Sequence, residues 1–342
     1  MSKNGKPRMT GGPLVELDDL RVWFPIKSGV VLDRHVGDIK AVDGVSLKIH
    51  RGETVGLVGE SGCGKSTLAR TLVRLLEPTE GTITFEGTDI VGLGARAMKD
   101  MRRHMQIVFQ DSVGSLDPRM KVGDLIAEGL TIHGITGRKG RKRVVQAMLE
   151  RVGMPPEAAD RYPHQFSGGQ RQRIGLARAL VLQPKLVVAD EPVSALDVSI
   201  QSQVLNLLVA LKNEFDLTYV FVAHDLAVVG YISDRVAVMY LGRIVEIAPA
   251  EELFARPLHP YTVALLSANP EPVPGRKSNR IVLTGDVPSP IDPPSGCRFR
   301  TRCPIAQPIC ADVDPMLEDH GAHHRAACHF PGTLLPAAGP PA

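Results

Sequence analysis

The 342-residue sequence has no marked excess of charge of either sign. Forty Lys and Arg stand against 37 Asp and Glu, a formal net charge of +3, too small an imbalance to point to nucleic acid as a partner. There is no uninterrupted apolar run of membrane-spanning length, and Met1 to Gly12 is polar and glycine-rich with no apolar core. Those two absences predict a soluble chain that is not exported. Cys-x-x-Cys pairs are also missing. Of five cysteines, Cys63 stands alone while Cys297, Cys303, Cys310 and Cys328 crowd one end; in a reducing compartment such a crowd suggests a metal before disulfides. What is present is 43% hydrophobic content over a length that suits about two domains.

The most informative stretch is residues 54 to 67. Thr54 to Val58 reads as a short buried strand, Gly59, Gly62 and Gly64 clear side chains from the backbone, and Lys65-Ser66-Thr67 opens a helix bearing Leu68, Leu72, Leu75 and Leu76 on one face. Gly-x4-Gly-Lys-Ser between a strand and a helix is a phosphate cradle. Its N–H groups, with those of Ser61 and Cys63 among them, and the positive helix end bind phosphate; Lys65 reaches the terminal phosphates, and the Ser66 hydroxyl suits Mg²⁺.

Residues 14 to 24, 41 to 49 and 82 to 85 alternate apolar and polar, predicting a small antiparallel sheet beside the cradle, with a loop between Phe24 and Ile39. Phe24 or Trp23 suits stacking on a purine, or ordinary core packing. A strand at 106 to 110 ends on Gln110, whose amide suits Mg²⁺ or an attacking water. From Val122 to Arg178 the pattern is mostly helical, broken by the basic run 137 to 143, which reads as a solvated loop or a contact with anionic lipid. Ser167, Gly168, Gly169 and Gln170 then start a helix and form a second anion site, suited to a nucleotide held by another copy or partner. Leu186 to Ala189 ends in Asp190-Glu191, and Leu217 to Ala223 ends in His224-Asp225. Buried strands with reactive groups at their carboxyl ends predict a parallel sheet with its crevice at that edge. Asp190 suits Mg²⁺ through water, Glu191 the polarisation of the attacking water, and His224 a γ-phosphate contact. Ser194 to Asp197 is a turn suited to a dimer contact, and the next helix carries Ile200, Val204, Leu207, Leu208 and Leu211 on one face.

Taken in order and spacing, residues 59 to 67, Gln110, Phe-Ser-Gly-Gly-Gln (166 to 170), Leu-Val-Val-Ala-Asp-Glu (186 to 191), Ser-Ala-Leu-Asp (194 to 197) and His224 resemble the nucleotide-binding subunits of ABC transporters. Within that family the chain is most similar to the ATPase subunits of bacterial dipeptide and oligopeptide importers, through Arg161 to Arg173, Val-Met-Tyr-Leu-Gly-Arg-Ile-Val-Glu (238 to 246) and Leu-His-Pro-Tyr-Thr (258 to 262). The resemblance implies an α/β fold: an ATPase domain over 14–255, with a parallel sheet, an antiparallel β subdomain and a helical subdomain near 111–178. A Cys-containing extension over 256–330 and disordered segments at 1–13 and 331–342 complete it. It implies a head-to-tail dimer with a paralogous ATPase, in which Lys65 and Glu191 of one subunit act on Mg²⁺-ATP capped by Ser167 of the other. Two membrane permeases and an extracytoplasmic peptide-binding protein are the further partners, on the cytoplasmic face of the membrane. The implied activity is ATP hydrolysis coupled to peptide import, with a nickel complex, a glycan or a soluble non-transport role as alternatives. Ser112-Val113 stand where a Pro-Tyr pair is usual, near the expected permease groove.

Seventeen of 27 prolines fall from Pro249 onward, so the C-terminal region reads as a loop-rich appendage. The spacing Cys297-x5-Cys303-x6-Cys310-x17-Cys328 supplies thiolates for one tetrahedral site. Zinc favours the knuckles absent here, and the resemblance implies a [4Fe–4S] cluster; zinc, unligated thiols and disulfides are the alternatives. His320, His323, His324 and His329 are possible alternate ligands, or simply solvent-exposed.

Overall fold

The structure, a computed structural model, describes residues 12–28, 34–111, 114–268 and 281–334. Leu17, Leu20 and Val22 turn one face of β1 (Val15–Ser28) inward, against β2 (Arg34–Ile49). The two pair antiparallel from Val15↔Ile49 to Phe24↔Ile39 and on to Lys27↔His35. Much of the loop expected between Phe24 and Ile39 is therefore paired strand, residues 24–28 against 34–39. Its polar residues lack apolar alternation, and the backbone ladder carries what the side chains do not.

β3 (Thr54–Val58) is buried throughout and feeds the glycine loop and α1 (Lys65–Leu72). That helix stops a turn early: Arg74 takes a φ of 52°, and Leu75, expected on the buried face, is 46% exposed. β4 (Glu80–Phe85) and β5 (Thr88–Asp89) complete a four-stranded antiparallel sheet in the order β2-β1-β4-β5. After α2 (Ala95–Arg102) and β6 (Met105–Val108) come α3 (Val122–Ile132), α4 (Arg138–Arg151) and α5 (Gly168–Leu180). The basic run expected as a loop forms the first turns of α4, where Val145, Met148 and Leu149 further along supply the buried face. β7 (Leu186–Asp190), α6 (Val198–Phe215), β8 (Thr218–Val222), α7 (Leu226–Ile232), β9 (Arg235–Tyr240) and β10 (Arg243–Pro249) follow.

The larger sheet runs β9-β3-β8-β7-β6 in parallel, with β10 antiparallel at its β9 side. Register puts Leu57 beside Val222 and Val222 beside Asp190. The residues that follow β3, β7 and β8 therefore emerge along one edge, as the buried-strand pattern predicts.

The C-terminal region is more than loops. α8 (Ala250–Ala255), α9 (Pro260–Ala268), α10 (Ile309–Asp312), β11 (Glu318–Asp319) and β12 (Arg325–Ala326) lie in it, and β12 pairs with β10 at Glu246↔Ala326. The sheet is thereby extended to eight strands. Of the tail expected to be disordered, residues 331–334 form a turn whose Gly332 N–H donates to the Leu258 carbonyl at 2.8 Å. The rest of that tail, residues 1–11 and Ser112-Val113 lie outside the described residues. No helix among the described residues is long and apolar enough to cross a membrane.

Candidate functional site

The cradle is built from backbone that tolerates no side chain at two points. At Gly64, with a φ of 106°, an added Cβ would stand 2.0 Å from the Ala41 carbonyl oxygen; at Gly59 it would stand 2.2 Å from that of Met239. Gly62, with a φ of 80°, faces open space. Lys65 is buried, and its Nζ donates to the carbonyls of Gly59 at 2.8 Å and Glu60 at 2.9 Å. The ammonium is thus folded onto the loop that an anion would enter.

One residue along, the Ser66 hydroxyl donates to Asp190 Oδ1 at 2.8 Å. Asp190 is fully buried, burial pushes its carboxyl pKa up, and Oδ2 has no hydrogen-bond partner, Arg70 Nη2 standing 3.6 Å away. A buried carboxylate oxygen with nothing to donate to it is an acceptor left for a cation. Ser66 and Asp190 are hard oxygen donors, which fits Mg²⁺.

The strand end next to it gathers three groups. Gln110 Nε2 donates to Glu191 Oε2 at 2.8 Å, and His224 Nδ1 lies 3.6 Å from the same oxygen. Glu191 takes a φ of 48°, left-handed for a non-glycine residue, so its carboxylate is held in a turn that costs backbone energy, on the order of 1 kcal/mol or more. Its main chain is pinned from both sides: Glu191 N–H donates to the Val222 carbonyl at 3.0 Å, and Ser194 Oγ donates to the Glu191 carbonyl at 3.1 Å. A carboxylate, an amide and an imidazole at one strand edge can orient a water and take its proton.

Of the two aromatics proposed for base stacking, Trp23 is engaged elsewhere. Its Nε1 donates to Asp43 Oδ1 at 3.0 Å, and Arg21 and Lys40 lie over its ring. Phe24 is 38% exposed. The segment expected as a second anion site forms a capping box: Ser167 Oγ accepts from Gln170 N–H, and Gln170 Oε1 from Ser167 N–H at 3.0 Å. Gly169 packs so closely on Ile200 that a Cβ would meet it at 2.5 Å. Asp197 is the N-cap residue of α6, and Ile200, Val204, Leu207, Leu208 and Leu211 face the core as expected.

The cysteines come together without closing a site. Cys297 N–H donates to the Cys310 carbonyl at 2.8 Å, and burial pushes the Cys297 thiol up to about 11 and Cys328 up to about 12, the neighbouring sulfurs adding to each. Among the described residues, no group of three or more His, Cys, Asp or Glu side chains is set to hold a metal, and no disulfide joins these sulfurs. His324, a possible alternate ligand, is instead fully buried, with Nε2 2.6 Å from Glu246 Oε1. His320, His323 and His329 are not fully buried.

Asp43, Arg298 and Arg302 went unmarked in the sequence, and Glu60 and Tyr261, inside quoted motifs, were given no role of their own. Each lies far along the chain from its partner, and local pattern carries no sign of such pairing.

The chain is similar to known proteins. The ABC transporter family profile matches residues 42–194, and that of the oligopeptide/dipeptide transporter C-terminal region matches residues 245–310. The oligopeptide transport ATP-binding protein AppF of Bacillus subtilis is 53% identical over 320 residues, covering 93% of this chain and 97% of its own. The oligopeptide transport ATP-binding protein OppF of Salmonella typhimurium is 52% identical over 314 residues, covering 91% of this chain and 94% of its own. Among solved structures, cbiO1 of Clostridium perfringens, part of the transporter complex cbiONQ, superimposes with a TM-score of 0.60 at 27% identity, over 72% of this chain and 92% of its own. A dimeric post-hydrolysis state of the ATP-binding cassette MJ0796, bound to ADP and Pi, gives a TM-score of 0.61 at 27% identity, over 69% of this chain and 98% of its own.

Proposed function

The chain belongs to the ATP-binding subunits of oligopeptide and dipeptide ABC transporters, and from that footing we propose how its residues hydrolyse ATP to drive peptide import at the cytoplasmic face of the membrane. ATP is the substrate. The loop Gly59, Ser61, Gly62, Cys63, Gly64 and Thr67 wraps the phosphates with backbone N–H groups, and Lys65 swings from the loop carbonyls to the terminal phosphates. Ser66, Asp190 and Gln110 hold Mg²⁺, which when bound draws charge from the phosphate oxygens. Phe24 stacks on the base.

Glu191 is the general base. Its carboxylate takes a proton from the water that attacks the γ-phosphorus, Gln110 and His224 fix the geometry, and His224 contacts the γ-phosphate. The leaving oxygen belongs to ADP, and the products are ADP and phosphate. The observation that carries this is the meeting of Gln110, Glu191 and His224 at one strand edge, next to Ser66 and Asp190. Ser167, Gly168, Gly169 and Gln170 cap the nucleotide of a paralogous partner, with Ser194 and Asp197 at the dimer contact. Two permeases and, through them, a peptide-binding protein complete the assembly. The division into an ATPase domain over 14–255, with helices over 111–178, and an extension over 256–330 is part of the same reading.

Cys297, Cys303, Cys310 and Cys328 would hold a [4Fe–4S] cluster, with zinc as the alternative. Soft thiols gathered in partly buried surroundings repel one another as thiolates until a cation neutralises them, and iron with sulfide, against zinc alone, separates the two on anaerobically purified protein.

Glu191→Gln tests the base. Turnover is expected to fall by about 10² to 10⁴ with ATP binding retained, the usual size of a general-base contribution; unchanged turnover would remove Glu191 from that role.

A further inference from the structure

Glu60, the residue after Gly59 in the cradle, is held by the far end of the chain. Its carboxylate receives both arms of Arg302, Nη1 to Oε2 at 2.7 Å and Nη2 to Oε1 at 3.1 Å. Its N–H donates to the Tyr261 hydroxyl at 2.7 Å, and its carbonyl accepts from Lys65 Nζ at 2.9 Å. Every polar group of Glu60 is thereby committed. Arg302 is only 8% exposed and lies over the Tyr240 ring. Behind it, Tyr240, Tyr261 and Phe299 pack together at centroid distances of 4.7 to 5.4 Å, so the fork is aimed by an aromatic wall. Arg298, four residues earlier, bonds to Asp43 and to the Leu241 carbonyl. Asp43 in turn holds Trp23.

Two consequences follow from elementary electrostatics. An unpaired carboxylate in a loop that must receive a polyanion would repel it, and Arg302 cancels that charge. A bidentate guanidinium also fixes the orientation of its partner, so the loop need not be ordered when the ligand arrives.

We infer that Arg302, supplied by the C-terminal extension, is a positioning residue for the nucleotide: it clamps Glu60 and neutralises it, leaving the cradle preformed for the phosphates of ATP. This rests on residues 59 to 67 being the ATP phosphate cradle.

The test is ATP affinity, by titration with a fluorescent ATP analogue and by competition with Mg²⁺-ATP, on full-length wild type, Arg302→Gln, Glu60→Gln and the double variant. Arg302→Gln is expected to weaken ATP about ten-fold and to raise KM while kcat at saturating ATP stays within about two-fold. The double variant is expected to bind ATP more tightly than Arg302→Gln but less tightly than wild type, because the repelling charge is gone while the clamp is not restored. A merely structural brace would lower the melting temperature of both Arg302 variants alike and leave affinity unmoved. Affinity unchanged in Arg302→Gln, or a double variant as weak as Arg302→Gln, overturns the inference. Should Arg302→Gln fail to fold, Glu60→Gln leaves the extension intact and an uncompensated Arg302 beside the phosphates. It is expected to tighten ATP about three-fold at low salt, and unchanged or weaker binding overturns the inference. Wild type that binds no ATP would remove the cradle reading itself, whereas wild-type binding with Arg302→Gln unaffected removes only the role of Arg302.

Discussion

His259 shows how far a single side chain can depart from its ordinary chemistry in this protein. It is buried, its Nδ1 accepts from the Tyr261 N–H at 3.1 Å, and burial pushes its pKa down to about 4, against the opposing pull of Glu246. The native state therefore refuses a proton that the unfolded chain binds near pH 6.5. Its contribution to stability is fully present above pH 6.5 and is lost progressively as the pH falls towards 4, about 2 kcal/mol by pH 5. The melting temperature is expected to fall over that window in wild type and to fall less in His259→Asn, whose amide oxygen can still accept from Tyr261; equal slopes would contradict it. Such behaviour was not legible in Leu-His-Pro-Tyr-Thr, because it depends on what covers the ring. Gly59 to Thr67, by contrast, could be read outright: glycines and a lysine between a buried strand and a helix admit few other uses.

At the scale of elements, strands that end in chemistry were legible because each is a continuous apolar run broken by a polar pair, as in Leu186 to Glu191. The pairing of Pro25 to Lys27 with His35 to Asp38 was not, since those residues bury little. Nor were β11 and β12, two residues each, whose place is set by one buried anchor on β10. Glu246 accepts from the N–H groups of Leu258 at 2.7 Å and His259 at 2.9 Å while its Oε1 also meets His324 Nε2. One carboxylate thus joins β10, the start of α9 and the turn before β12. Replacing it with Ala strands two buried donors and a buried imidazole, and is expected to cost about 3 to 5 kcal/mol in chemical denaturation. Limited proteolysis should then cut first in the chain that follows β10. A loss under about 1 kcal/mol would mean that the anchor lies elsewhere.

For the whole molecule, two ion pairs tie the C-terminal region to the part of the chain that carries the cradle. Arg302 reaches Glu60 across 242 residues of chain and Arg298 reaches Asp43 across 255, separations at which sequence pattern says nothing about pairing. The motor's chemistry could be read from local motifs, whereas its ties to the C-terminal region are visible only in the folded chain. In the proposed function, ATP hydrolysed at Glu191 drives peptide entry. The most direct measurement is uptake of an isotope-labelled mixture of short peptides by host cells whose own copy of this chain carries Glu191→Gln. Uptake is expected to fall to background while the variant chain remains at the membrane with its partners; peptide entry at the wild-type rate would contradict the account.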